Sequence, residues 1–254
     1  MDLGIRGRLA LVTGASSGLG RACALALAAE GARLAIGARR LELLERVAAD
    51  ARAAGSPDAQ AYALDLSDPA SIDALLAAMR ARQGDADILI ANSGPPKPGM
   101  VTNLTLADWD AAYGPTMRSL LQVTYGVLPA MRERRWGRIV NLSSSAVKTP
   151  IPNLALSNAF RAGLLGAFKT LSREVAADGV TINVIATGKI ETDRARSFYA
   201  APGAWEKQQT DIPFGRFGKP EEFAPLVAFL CGDGARYISG TTIAIDGGLA
   251  PGLT

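Results

Sequence analysis

Leu9-Ala10-Leu11-Val12-Thr13-Gly14-Ala15-Ser16-Ser17-Gly18-Leu19-Gly20 is the stretch that decides the fold. An apolar run breaks into three glycines and resumes as a helical pattern through Ala22, Leu25, Ala26 and Ala29. Strand, turn and helix in this order build a pocket for a pyrophosphate. Glycines remove Cβ atoms where backbone must approach phosphate oxygens, and the helix start offers N–H groups and a partial positive charge. The Gly-x-x-x-Gly-x-Gly spacing is a relative of the dinucleotide-binding Gly-x-Gly-x-x-Gly pattern. The competing reading is plain punctuation between a strand and a helix.

Outward from this stretch, apolar strand-like runs at 9–12, 33–37, 59–64, 87–91, 137–142, 180–186 and 241–245 alternate with amphipathic stretches. Those stretches fall at 21–30, 41–54, 69–82, 105–134, 156–177 and 220–229. Strict alternation predicts an α/β fold: one doubly wound Rossmann-type domain with helices on both faces of a parallel sheet. Right-handed crossovers favour about seven strands in the order 3-2-1-4-5-6-7. No Pro/Ser/Gly-rich linker divides residues 1–254. The segment 192–219 lacks a strand and carries Phe198, Tyr199, Trp205 and Phe214. It reads equally as a lid over an apolar substrate or as a helix pair packed on the body or on another subunit.

Composition narrows the function. The chain has 48% hydrophobic residues, net charge +3 and no histidine. Mixed charge argues against a nucleic-acid surface. Without histidine a Ser-His-Asp hydrolase is excluded, and no metal site is expected. Cys23 and Cys231 sit in apolar stretches and read as core. No signal pattern and no apolar run near the ~20 residues of a membrane span occur, so a cytoplasmic protein is expected.

Further strings recur at matching intervals: Asp65-Leu66, Asn92-Ser93-Gly94, Arg138-Ile139-Val140-Asn141-Leu142-Ser143-Ser144, Phe217-Gly218-Lys219-Pro220-Glu221-Glu222 and Asp246-Gly247-Gly248. With the glycine turn they make the chain resemble the short-chain dehydrogenase/reductase family, in particular its 3-oxoacyl-carrier-protein-reductase-like branch, over residues 7–248. The resemblance implies that Gly14, Ser16, Ser17, Gly18, Leu19 and Gly20 cradle the pyrophosphate. It implies that Asp65 and Leu66 hold the adenine, that Asn92, Ser93 and Gly94 line the way to the nicotinamide, and that Gly188 closes the cofactor set. Asp65 reads alternatively as a turn cap. After the second strand an NAD-selective site carries a carboxylate. This chain has Ala38-Arg39-Arg40, so NADP(H) is expected, with Arg39 as the contact to the 2′-phosphate.

The same resemblance places the family's catalytic serine on Ser144. Its tyrosine falls on Ser157, its lysine on Arg161 and its asparagine on Thr116, while its Pro-Gly has become Thr187-Gly188. A serine hydroxyl is a far weaker acid than a phenol and reaches less far. An arginine keeps the cation but cannot shuttle a proton, so Arg161 reads as a clamp on a ribose or a substrate carboxylate. Ser143-Ser144-Ser145 reads as an oxygen-binding run or as a hydroxyl-rich turn. Lys148, Lys189 and Tyr199 are the remaining candidate proton donors. The expected function is an NADP(H)-dependent oxidoreductase with a rebuilt proton-transfer site, acting on an apolar carbonyl or hydroxyl substrate. The alternatives are a catalytically silent dinucleotide-binding sensor or partner subunit, and a lyase or isomerase on the same scaffold. A homotetramer is expected, with neither nucleic acid nor membrane as partner.

Overall fold

The computed structural model describes residues 2–252. Seven strands form one parallel sheet: β1 (Leu9–Thr13), β2 (Arg33–Ala38), β3 (Ala59–Ala63), β4 (Ile88–Asn92), β5 (Gly137–Leu142), β6 (Val180–Thr187) and β7 (Thr242–Ile245). Their order is β3-β2-β1-β4-β5-β6-β7, as the alternation of strand and helix predicts. The strands carry almost unbroken apolar runs because the sheet is covered on both faces. Along β1 the pleat sends Ala10 and Val12 to one core and Leu9 and Leu11 to the other.

The first core packs against α1 (Gly18–Ala29) through Cys23, Ala24 and Leu27, and against α2 (Leu41–Ala54) through Leu44 and Val47. The opposite core packs against α3 (Pro69–Gln83) through Ile72, Leu75 and Met79. Two helices separate in sequence where one is expected over 105–134: α4 (Leu106–Tyr113) and α5 (Ser119–Glu133), joined by a π-turn at Gly114–Arg118. Pro115 supplies no N–H to the helical ladder, and the Ser119 N–H reaches back to the Gly114 carbonyl instead. The apolar rhythm on both sides of that turn conceals it. Next come α6 (Ala155–Glu174), α7 (Asp193–Phe198), α8 (Ala204–Thr210) and α9 (Pro220–Cys231). The expected helix at 156–177 stops at Glu174, and the chain turns at Gly179 with φ 73°.

Cys23 and Cys231 are buried and unpaired, as expected for core positions. Burial raises both thiols far above the range in which a thiolate forms near neutral pH. Among the described residues no helix is long and apolar enough to cross a membrane, and no cluster of side chains is suited to a metal ion.

Candidate functional site

The site opens at the carboxyl ends of the strands, where β1 and β4 lie side by side and the winding direction reverses. Hydrogen bonds between the ends of these two strands hold the glycine turn. Thr13 Oγ1 donates to the Asn92 carbonyl at 2.6 Å and accepts from the Asn92 N–H at 2.8 Å. Asn92 Nδ2 then donates to the carbonyls of Thr13 and Gly14, each at 3.3 Å. Gly14 has φ 64°, and a Cβ there would lie 2.6 Å from Asn92 Nδ2. At Gly20 a Cβ would strike the Gly14 carbonyl, so this glycine lets α1 sit against the turn. Ser17, the N-cap of α1, is extended and makes no side-chain cap, and the first turn of the helix holds no acid. A helix start with neither a side-chain cap nor an acid is the kind of terminus that suits an anion.

The two serines of the turn are engaged by a group that sequence reasoning placed second. Arg40, not Arg39, donates through Nη2 to Ser16 Oγ at 3.2 Å and Ser17 Oγ at 3.0 Å. Arg39 lies beside it on the cleft wall, near enough to Asp65 to lower that carboxyl further. The Asp65 carboxyl is held below the usual carboxylate range first by Ser67, whose hydroxyl and backbone N–H donate to Oδ1 at 2.6 and 2.9 Å. The turn-capping geometry is therefore real. No hydrogen bond from the described residues reaches the other carboxyl oxygen, and the residue still lines the cleft.

The cleft has a volume of about 1100 Å³. Gly14, Ser16, Ser17, Gly18, Leu19, Arg39, Asp65, Leu66, Asn92, Ser93, Gly94 and Arg161 all line it. Gly20, Ser144, Ser157 and Gly188 do not reach its surface. Gly188 instead packs on Asp246, whose Cβ occupies the space a side chain would need. Thr192, Asp193, Arg194 and Ser197 of the α7 region also border the cleft, although the aromatic residues singled out in this segment do not.

Its inner end is polar and underused. The π-turn carries Thr116, and Ser143 follows directly on the end of β5 at Leu142. The hydroxyls of Ser93, Thr116 and Ser143 are buried without a protein partner. Ser144 Oγ accepts from the Ala146 N–H at 3.1 Å, which leaves the hydroxyl proton free to be donated elsewhere. On α6, Arg161 Nε donates to Ser157 Oγ at 3.2 Å and Nη1 donates to the Leu142 carbonyl at 3.4 Å. Burial alone pushes the Arg161 guanidinium down to about 10, so it remains a cation at neutral pH.

None of the three spare proton donors borders the cleft. Lys189 Nζ is committed to the Gln208 carbonyl at 3.0 Å and to Asp211 at 3.1 Å. Tyr199 packs edge-on against Phe198, Trp205 and Phe217, and burial raises its phenol. Lys148 ends the short 3-10 turn Ser145–Val147.

Known proteins share this architecture. A family model described as enoyl-(acyl carrier protein) reductase matches residues 14–250. The chain is 37% identical over 247 residues to the 3-oxoacyl-(acyl-carrier-protein) reductase FabG of Escherichia coli (strain K12), covering 97% of this chain and 99% of that protein. The L-sorbose reductase of Gluconobacter frateurii, solved with NADPH and L-sorbose, superimposes with a TM-score of 0.94 at 30% identity, covering 100% of both chains. An actinorhodin polyketide ketoreductase variant solved with NADPH gives a TM-score of 0.90 at 34% identity, covering 96% of this chain and 97% of that one.

Proposed function

The chain belongs to the short-chain dehydrogenase/reductase family, and from that premise we propose that it is an NADP(H)-dependent oxidoreductase interconverting a carbonyl and a hydroxyl group. One observation carries the cofactor reading: an uncapped helix start and a glycine turn without room for Cβ atoms share one cleft with two arginines. Those features suit a pyrophosphate and a 2′-phosphate. In this reading Gly14, Ser16, Ser17, Gly18 and Leu19 form the pyrophosphate cradle, and Gly20 behind them lets α1 close on the turn. Arg39 grips the 2′-phosphate, Asp65 and Leu66 bracket the adenine, and Asn92, Ser93 and Gly94 shape the path to the reactive ring, with Gly188 behind them on Asp246. The relatives solved with NADPH support the phosphorylated form of the nucleotide and favour an oxidoreductase over a silent sensor.

The bound nucleotide supplies the hydride. Ser144 stands behind the cleft-lining Ser143, and this reading assigns its free hydroxyl proton to the substrate oxygen. Arg161 orients the reactants at the inner end of the cleft. Its Nε–H points at the Ser157 oxygen, which steers the serine proton away from the guanidinium and towards any acceptor beside it. Residues 192–219 act as a lid on a single domain. Their base is clasped where the Glu191 N–H donates to the Gly218 carbonyl at 2.8 Å and the Gly218 N–H donates to the Lys189 carbonyl at 3.0 Å. Exposed Tyr125 on α5 and exposed Tyr113 at the end of α4 suit helix pairing in a homotetramer. A cytoplasmic enzyme fits the absence of any apolar membrane-length helix among the described residues.

The test combines calorimetric titration with NADPH and NADH with a spectrophotometric screen of ketones, keto-esters and acyl thioesters. NADPH should bind at least tenfold more tightly than NADH, and at least one carbonyl compound should oxidise it. No affinity for either nucleotide overturns the reading.

A further inference from the structure

Arg161 is 6% exposed, and among the described residues no carboxylate pairs with it. The other deeply buried arginine shows the contrast: Arg138, 3% exposed, has Asp233 at 3.6 Å and stacks 4.3 Å from the Trp136 ring centre. A buried cation without a counter-charge is costly unless something else neutralises it. Only two of the five guanidinium N–H groups are used, by Ser157 and by the Leu142 carbonyl. The Nη2 pair and one Nη1 hydrogen remain, on a side chain that borders the cleft.

Its neighbours there point to the same kind of ligand. Thr116 and Ser143 line the inner end of the cleft with it, and their hydroxyls are buried with no partner. A planar cation beside two idle hydroxyls fits a flat anion with two oxygens. In the proposed function the phosphates of a dinucleotide are already assigned to the glycine turn and the Arg39–Arg40 pair. Ribose hydroxyls accept hydrogen bonds but cannot neutralise a charge.

Building on the oxidoreductase reading above, we propose that Arg161 binds a carboxylate of the substrate, and that the enzyme acts on an oxo acid or the matching hydroxy acid in preference to a neutral ketone or thioester. On reduction the carbonyl carbon gains a hydride from NADPH and its oxygen a proton drawn from solvent water. The C=O π bond is lost, NADP+ and the hydroxy acid are released, and the carboxylate is unchanged. Arg161 is thus a specificity-determining residue.

The experiment compares 2-oxo, 3-oxo and 4-oxo acids of five or six carbons with their methyl esters. Binding is read by calorimetry on the full chain saturated with NADP+, which prevents turnover, and initial rates are read with NADPH. At least one acid should bind about tenfold or more tightly than its ester. The preference should vanish in Arg161→Gln, which keeps hydrogen-bonding capacity but not charge, and return in part in Arg161→Lys. Acids and esters binding within twofold in the unmodified chain would overturn the proposal. So would a preference that survives in Arg161→Gln, or an Arg161→Gln variant that loses nucleotide affinity and keeps its acid-to-ester ratio. If either variant fails to fold, the unmodified chain's acid-to-ester ratio decides alone. Should the chain bind neither nucleotide, the oxidoreductase reading falls, while acid and ester titrated into nucleotide-free protein still judge Arg161.

Discussion

Arg161 lies one helical turn beyond Ser157, and its Nε donates to the Ser157 hydroxyl at 3.2 Å inside the protein. The pair keeps a cation and a hydroxyl on one face of α6, yet neither group is an acid of useful strength near neutral pH. Restoring a phenol and an amine in the Ser157→Tyr/Arg161→Lys double variant should therefore raise turnover of a neutral keto-ester. A positioned general acid is worth about 10²–10⁴-fold, and a gain of about a hundredfold in kcat is expected. NADPH oxidation measures it. No gain would show that Thr116 or the substrate pocket has diverged together with the pair.

Arg39 and Arg40 do different work and should separate in binding. Arg39→Ala should weaken NADPH by about 10- to 100-fold while leaving NADH nearly unchanged, because a charge-assisted bond to one phosphate is lost. Arg40 ties the turn itself through Ser16 and Ser17. Arg40→Ala should loosen both nucleotides alike, by about threefold to tenfold. Cofactor fluorescence titrations distinguish the two patterns; equal selectivity losses in both variants would remove the distinction.

The division between these two arginines was not legible in the sequence, whereas the sheet around them was. Seven apolar runs separated by amphipathic stretches leave one sensible winding, and buried parallel strands cannot hide their composition. Which of two adjacent arginines turns towards the glycine loop depends on the backbone at the end of β2, where Arg40 has φ −92° and ψ 88°. Local composition does not encode that. Thr116 shows a partial signal: Gly114-Pro115 marks a break, but the apolar spacing before and after it continues as though the helix were unbroken. The idle hydroxyls of Ser93 and Ser143 carry no sequence signal, since an unmet hydrogen bond is a property of packing.

Thr116→Val tests one of those idle hydroxyls. Removing a buried hydroxyl without a partner replaces a desolvated polar group by a methyl of similar shape, a change worth about 1 kcal/mol in the stabilising direction. In a chain of this size that raises Tm by about 2–4 °C. Turnover should fall by about tenfold if the hydroxyl serves a substrate oxygen, a trade of function for stability. A melt paired with an NADPH assay reads both, and a variant that melts lower than the unmodified chain contradicts the idle-hydroxyl account.

The carboxyl end of the 192–219 segment should respond to acid through Glu222. Arg216 holds this carboxyl down to about 2, with Nη1 and Nη2 each donating to it at 2.7 Å, and the Lys219 N–H adds a bond at 2.8 Å. Its ordinary value is 4.5, so the folded state binds this proton less readily than the unfolded chain does. Such a group stabilises the fold fully above its unfolded value, and the contribution drains away as pH falls from about 4.5 towards 2. Glu222→Gln should then melt below the unmodified chain at pH 6, with the gap closing through this window. Because the pair is exposed, added salt should also narrow the gap at pH 6. Thermal melts at pH 6, 4 and 3 check the sign, and a gap that stays constant or widens in acid would show that Glu222 is not the group responsible.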